Sequence, residues 1–185
     1  MGRKRKKSKG KKINPTLFVF CEGDTEEAYV NMLKSHYRLP SIQIHPKIGG
    51  NNITASYIQN YKKDKPTHEK DINYLMYDLD VRGVLSRLQK IGNSVLLLSN
   101  PCLELWFLLH YKNQTTNIDC TYCCKELNNR NKSYKKGVIG QKLKEKLLSK
   151  SKEAIGRAKN LNEFGNPSST IYRLIEMLNE LKNKA

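Results

Sequence analysis

The sequence lacks any long uninterrupted run of apolar residues, and its 185 residues carry half as many acidic as basic side chains. No apolar stretch reaches the roughly 18 residues that a transmembrane helix needs, so we expect no membrane partner. The apolar stretch Leu17–Cys21, which follows the basic first residues, is too short for a signal peptide. These absences predict a cytoplasmic protein.

A disulfide framework is also not expected, because five cysteines are an odd number in a chain predicted to be cytoplasmic. Cys21 and Cys102 lie in or beside apolar runs, which is typical of small core residues. Three further cysteines cluster within residues 120–124, with His110 ten residues upstream of the first. A structural zinc site needs two separated ligand pairs. No second pair is evident, so zinc is the less favoured interpretation.

Basic charge is unevenly distributed along the chain, whose formal net charge is +17. Residues 2–12 contain eight basic residues and no acidic one, residues 13–111 contain ten of each, and residues 112–185 contain sixteen basic and seven acidic residues. A neutral core between two basic segments indicates a polyanionic partner, which for a soluble chain is usually nucleic acid. Solubility without a specific partner is the alternative explanation.

Apolar runs alternate with segments of helical periodicity in the neutral part of the chain. Strands are predicted at residues 16–21, 42–45, 71–77 and 94–98. A helix is predicted after each strand, with Asp24 or Thr25 as the cap of the first helix and Pro101 at the start of the fourth. This alternation predicts an α/β fold, a doubly wound parallel sheet with helices on both faces.

Three regions are expected along the chain. They are a disordered basic arm at residues 1–12, an α/β core at residues 13–112, and a basic loop and helical extension at residues 113–185 packed on that core. The extension is predicted to begin as a loop that reaches Lys136, followed by three helices with apolar stripes. Asn166–Ser169 is predicted to be the turn and cap before the last helix.

Acidic residues follow two of the predicted strands. Glu22 follows the first strand, and Asp78 and Asp80 follow the third, with both aspartates projecting in the same direction. Because ligands bind beyond the carboxyl ends of parallel strands, we expect these carboxylates to form an oxygen-ligand site for Mg²⁺ or Mn²⁺. Glu104 is a candidate fourth member. The alternative for each acid taken singly is a structural role at a helix start or in a loop.

Several motifs in these segments resemble known families. Glu22–Gly23–x–Thr25–Glu26 after the first strand, and Asp78–x–Asp80 after a later one, resemble the Toprim arrangement of primases, topoisomerases and several nucleases. Other segments resemble the RloB-like family more specifically, and these are Ser99–Trp106 running into Leu109–Tyr111, Asn166–Thr170, and the basic arm before the first strand. The resemblance extends from about Lys12 to the last helix.

The resemblance implies a Toprim-like fold and a nuclease-like activity. RloB-like proteins are similar to Toprim nucleases and are found with restriction and other phage-defence genes. Metal binding is thereby implied for Glu22, Asp78 and Asp80, with Glu104 as a further catalytic candidate. Toprim chemistry also implies that Glu22 acts as a general acid or base.

Other residues are candidates with a structural alternative beside each. His110 is a candidate for catalysis or phosphate contact, and its alternative is a hydrogen-bonded core histidine. Lys135 and Lys136 are candidates for binding the scissile phosphate, and their alternative is that both are simply exposed to solvent. The backbone amides of Gly49–Gly50–Asn51 are a candidate contact to a phosphate backbone, against an ordinary loop.

The function expected from the sequence is that of a metal-dependent nuclease in prokaryotic antiviral defence. It would hydrolyse phosphodiester bonds of DNA or RNA with Mg²⁺ or Mn²⁺. The alternative is a non-catalytic subunit that binds nucleic acid or another defence-system protein. Assembly into a homo-oligomer is compatible with either function.

Overall fold

A computed structural model describes residues 14–184, which contain five strands and eight helices. The strands are β1 (Thr16–Cys21), β2 (Gln43–Ile48), β3 (Ile72–Asp78), β4 (Ser94–Asn100) and β5 (Ser168–Ser169). The helices are α1 (Asp24–Tyr37), α2 (Ala55–Lys62), α3 (Val84–Gln89), α4 (Leu103–Leu109), α5 (Cys120–Arg130), α6 (Gln141–Ser149), α7 (Ser151–Lys159) and α8 (Tyr172–Asn183). The basic arm predicted at residues 1–12 lies outside the described residues. None of the described helices is long and apolar enough to cross a membrane.

The five strands form one mixed sheet in the order β2-β1-β3-β4-β5. The first four strands are parallel, which confirms the predicted α/β architecture, and β5 is antiparallel to β4. β1 lies inside the sheet and is buried along its whole length, as its continuous apolar run predicts. β2 extends past the predicted end to Ile48, because its position at the sheet edge tolerates Pro46.

Helices cover both faces of the sheet, and the alternation of side chains along each strand divides the core in two. Leu17 and Val19 point to the face covered by α1 and α4–α8, whereas Phe18 and Phe20 point to the face covered by α2 and α3. The apolar residues of the C-terminal helices belong to the first of these two clusters. The extension therefore shares a continuous core with the sheet.

The last part of the sheet differs from the sequence-based expectation. The segment predicted as a turn and cap instead contains β5, which pairs with the end of β4. Thr170 Oγ1 accepts a hydrogen bond of 2.8 Å from Leu98 N, and the hydroxyls of Ser99 and Ser169 are 3.0 Å apart. These short polar residues satisfy buried backbone groups of β4, which an isolated turn would leave without partners.

The prediction of a loop that reaches Lys136 is also wrong in part, because this segment contains the three-turn helix α5. Asp119 caps this helix by accepting a hydrogen bond of 2.7 Å from Tyr122 N. Only Cys123 and Leu127, spaced four apart, are buried along it. An apolar stripe of two residues is too sparse to distinguish a helix from a polar loop by periodicity alone.

The start of α1 is displaced from its predicted cap. Gly23 is the capping residue, and its backbone N–H donates a hydrogen bond of 3.0 Å to Glu26 Oε2. The prediction of Asp24 or Thr25 as the cap is therefore wrong by one or two residues. Thr25 instead accepts a hydrogen bond of 3.0 Å from Gly137 N, so this turn of α1 is attached to the C-terminal extension.

Candidate functional site

Glu22 and Asp78 meet at the carboxyl edge of the sheet, as the sequence predicts. Their strands are adjacent and parallel, with Cys21 of β1 paired with Met76 of β3. Glu22 Oε2 accepts a hydrogen bond of 2.9 Å from Asp78 N, which ties the two strand ends together. The two acids are therefore held beside each other by sheet register as well as by a direct contact.

The turn from β4 into α4 brings Glu104 to the same place. Asp78 Oδ1 accepts a hydrogen bond of 2.9 Å from Leu103 N, at the first residue of α4. Ligand atoms of Asp78, Cys102 and Glu104 all lie within 4.8 Å of one another. Glu104 is almost fully buried, with 2% of its surface exposed. The structure thus unites Glu104 with Asp78 and adds a thiol to the group.

Glu26 is a further member of this acidic centre, which the sequence pointed to only as part of the motif that resembles the Toprim arrangement. It lies in the first turn of α1, four residues after Glu22 in the sequence, and is buried, with 6% of its surface exposed. Burial raises the pKa of its carboxyl, and the nearby charges of Glu104 and Glu22 raise it further. The available signal was its place in the Glu22–Gly23–x–Thr25–Glu26 motif, because the start of a helix that follows a strand lies at the carboxyl edge of the sheet.

Mutual repulsion and burial dominate the electrostatics of Asp78. Burial raises the pKa of its carboxyl to about 9, and the charges of Glu26, Glu22 and Glu104 act in the same direction. The hydrogen bond from Leu103 N opposes this shift. Burial likewise raises the pKa of Glu22, despite the hydrogen bond from Asp78 N. The centre consequently favours binding of a proton or a cation.

Asp80 lies at the exposed margin of the centre. Its charge contributes to the raised pKa of Glu22, so the two carboxylates interact. Its side chain forms no hydrogen bond within residues 14–184 and is exposed to solvent. The predicted set of Glu22, Asp78 and Asp80 is therefore not the one that the structure brings within 4.8 Å, which among the described residues is Asp78, Cys102 and Glu104.

The segment after α5 supplies a cation and a hydroxyl to the centre. Tyr134 donates a hydrogen bond of 2.6 Å to Glu104 Oε1, and Lys136 Nζ lies 3.5 Å from the same oxygen. Lys135 is exposed, and its side chain has no ion pair or hydrogen bond among residues 14–184. A tight turn separates the two lysines from α6, with Gly137 in a left-handed conformation at φ 75°. Of the two predicted lysines, only Lys136 contacts the acids.

His110 lies away from the carboxylates. It follows α4 at its C-terminal end, six residues after Glu104, which corresponds to about 9 Å along the helix axis. Its Nδ1 is 2.9 Å from the backbone oxygen of Trp106, and its ring packs edge-on against the Trp106 ring. Burial lowers the pKa of His110 to about 4. Its surroundings are those of a neutral core histidine, and the structure does not bring it together with the acids or the cysteine cluster.

The Gly49–Gly50–Asn51 loop follows β2 at the same sheet edge as the acids. Gly49 N donates a hydrogen bond of 2.8 Å to Cys21 O, and the Tyr77 hydroxyl donates one of 2.9 Å to Gly50 O. A Cβ atom at position 49 would lie 2.9 Å from the Tyr77 hydroxyl oxygen. Close packing thus explains this glycine, and Asn51 is the exposed residue of the three.

The fold and the site define an α/β protein with a buried carboxylate centre at the carboxyl edge of a mostly parallel sheet. The chain belongs to the family of RloB-like proteins, whose family model matches residues 17–178. A search of curated proteins returned no significant match. A search of solved structures also returned none.

Proposed function

We propose that this protein is a metal-dependent nuclease of the Toprim type, which hydrolyses phosphodiester bonds in DNA or RNA during prokaryotic antiviral defence. The observation that carries the proposal is the convergence of Glu22, Asp78 and Glu104 from three separate segments at one sheet edge. Carboxylates crowded in this way repel one another unless a cation is present. The family membership supports the same interpretation.

The donor set fits Mg²⁺ or Mn²⁺, both of which favour carboxylate oxygens. Glu22, Asp78 and Asp80 would hold the ion at the solvent-accessible margin of the centre. When bound, it would supply the positive charge that stabilises the attacked phosphate. The raised pKa of Asp78, about 9, is consistent with a residue that is ionised fully only when a cation lies beside it.

Two residues of the chain have properties suited to the remaining steps. Burial raises the pKa of the Glu22 carboxyl above its ordinary value, which makes it a stronger proton acceptor than an exposed carboxylate. Lys136 has 62% of its side chain exposed while its ammonium group contacts Glu104. It can therefore contact a phosphate oxygen of a nucleic acid that approaches the acids from solvent.

Cleavage of labelled DNA and of total RNA, each with Mg²⁺, Mn²⁺ or EDTA, tests the proposal. We expect metal-dependent products from the wild-type protein and none from the Asp78→Asn/Asp80→Asn double variant, purified in parallel and checked for folding by circular dichroism. Products that persist in the double variant would assign the activity to a contaminant. Binding without cleavage in every condition would favour the non-catalytic subunit instead.

Nucleic-acid binding is expected to weaken steeply with salt, because lysine and arginine contacts to phosphates release counterions. If the protein makes about six to ten such contacts, affinity should fall roughly 10³- to 10⁵-fold between 50 and 200 mM salt. Fluorescence anisotropy of a labelled oligonucleotide measures this dependence. Deletion of residues 1–12, which removes eight basic residues, should reduce the slope. A slope near zero in the full chain would contradict a phosphate-binding role for its charge.

A further inference from the structure

A thiol lies within the tightest part of the acidic centre. Cys102, at the N-cap of α4, is fully buried, and its sulfur lies within 4.8 Å of carboxylate oxygens of Asp78 and Glu104. Two cysteines of α5, Cys120 and Cys123, lie next to Cys102. The sequence shows no second group of ligands for a metal site around the three cysteines of residues 120–124. The fold instead places two carboxylates beside Cys102, a cysteine outside that cluster.

Asp78, Cys102 and Glu104 together offer two carboxylates and a thiol, and this set suits a different class of cation from carboxylates alone. Mg²⁺ prefers oxygen ligands, whereas Zn²⁺ and similar ions bind one thiolate with imidazole or carboxylate partners readily. Ligand atoms in a tetrahedral zinc site lie roughly 3.3–3.7 Å apart. Cys102, Asp78 and Glu104 therefore need to move together by only about an ångström to reach bonding distance.

The carboxylates retain free coordination capacity in this arrangement. Asp78 uses Oδ1 to accept from Leu103 N, and Glu104 uses Oε1 to contact Tyr134 and Lys136. Within residues 14–184, neither Asp78 Oδ2 nor Glu104 Oε2 accepts a hydrogen bond. Asp78 is the only partly exposed member of the three and thus gives a cation access from solvent.

We propose that Asp78, Cys102 and Glu104 form a site for a thiophilic divalent cation such as Zn²⁺. Binding releases the thiol proton of Cys102 to solvent as the sulfur–metal bond forms, together with the carboxyl proton of Asp78 when that group is protonated. The site shares Asp78 with the Mg²⁺ or Mn²⁺ site of the proposed nuclease, so we expect Zn²⁺ to compete with Mg²⁺ or Mn²⁺ for this carboxylate. The resulting inhibition of cleavage rests on the proposed function, whereas binding of the ion does not.

Titration of the full-length protein with Co²⁺ tests the site independently of activity. Co²⁺ replaces Zn²⁺ in protein sites, and a thiolate ligand gives it an intense ultraviolet charge-transfer band that carboxylate ligands do not give. We expect this band with one equivalent of Co²⁺ in the wild-type protein and its loss on addition of Zn²⁺. The band should be absent in Cys102→Ser and present in Cys21→Ser, a matched change at another fully buried cysteine.

Further variants keep the test decisive if Cys102→Ser does not fold. Asp78→Asn and Glu104→Gln leave the thiol in place and should each weaken Co²⁺ binding about tenfold or more. Absence of the band in the wild-type protein, or an unchanged band in all three variants, would overturn the proposal. A band without any cleavage activity would support the site for a thiophilic cation and contradict the nuclease function. Cleavage that Zn²⁺ does not inhibit, with no charge-transfer band, would support the nuclease function and exclude the Zn²⁺ site.

Discussion

Replacement of Asp78 by asparagine is expected to stabilise the metal-free protein at pH 8 while removing a proposed catalytic carboxylate. Burial and three neighbouring acids hold the pKa of Asp78 at about 9. The folded protein thus opposes ionisation of this group. Asparagine has nearly the same shape, keeps an oxygen that can accept from Leu103 N, and carries no charge. One unit of pKa corresponds to about 1.4 kcal/mol, so we expect a gain on the order of a few kcal/mol.

The sign of the pH dependence follows from proton binding. The pKa of Asp78 is higher in the folded state, about 9, than its ordinary value of 3.8. Between these values the folded state binds more protons than the unfolded state, so wild-type stability falls as the pH rises through this window. Below pH 4 Asp78 is protonated in both the folded and the unfolded state, so its ionisation no longer destabilises the folded protein. The stabilisation by Asp78→Asn should therefore grow from near zero at pH 4 to its largest value at pH 9.

Urea denaturation in EDTA at several pH values measures this effect. Asp80→Asn is the matched control, because Asp80 is exposed and makes no hydrogen bond within residues 14–184. Its substitution should change the free energy of unfolding by no more than about 0.5 kcal/mol. Mg²⁺ should stabilise the wild-type protein more than the Asp78→Asn variant. An Asp78→Asn protein less stable than wild type at pH 8 would contradict the assignment of Asp78 as a repelled, buried carboxyl.

Replacement of Trp106 by alanine is expected to destabilise the protein by about 3–5 kcal/mol. Trp106 is fully buried in the α4 layer, and its Nε1 donates a hydrogen bond of 2.8 Å to the Tyr29 hydroxyl of α1. The substitution leaves a large cavity between these helices and the sheet. Total stabilities of domains are about 5–15 kcal/mol, so the loss is a substantial fraction.

The Trp106→Ala effect is measured by urea denaturation followed by circular dichroism, since the chain has a single tryptophan and the variant loses that fluorescence. Tyr29→Phe separates the hydrogen bond from the packing, because it removes only the acceptor of the indole N–H. It should cost about 1–3 kcal/mol, the penalty for a buried donor without a partner. Equal losses in the two variants would mean that the cavity contributes nothing, contrary to the expected packing role.

Much of the sheet was predictable because its strands carry local patterns. β1 is a continuous apolar run, and its burial on both faces follows from that composition. The elements missed or misplaced depend on distant partners. β5 contains two serines with no strand-like pattern, and it exists because Ser168 and Ser169 pair with the end of β4. A helix with two buried residues, such as α5, is equally hard to recognise from the sequence alone.

The sequence by itself determined the α/β class and the meeting of Glu22 with Asp78, because parallel strands place their carboxyl ends at one edge. Only the tertiary structure decided which other groups join them. Glu104 was already a candidate from the sequence, whereas Glu26 from α1, Cys102 from the turn after β4 and Lys136 from the segment after α5 were placed there only by the fold. The tertiary structure also places His110 at the C-terminal end of α4, away from the carboxylates. Contacts of this kind depend on how helices pack over the sheet, which no short-range spacing in the chain encodes.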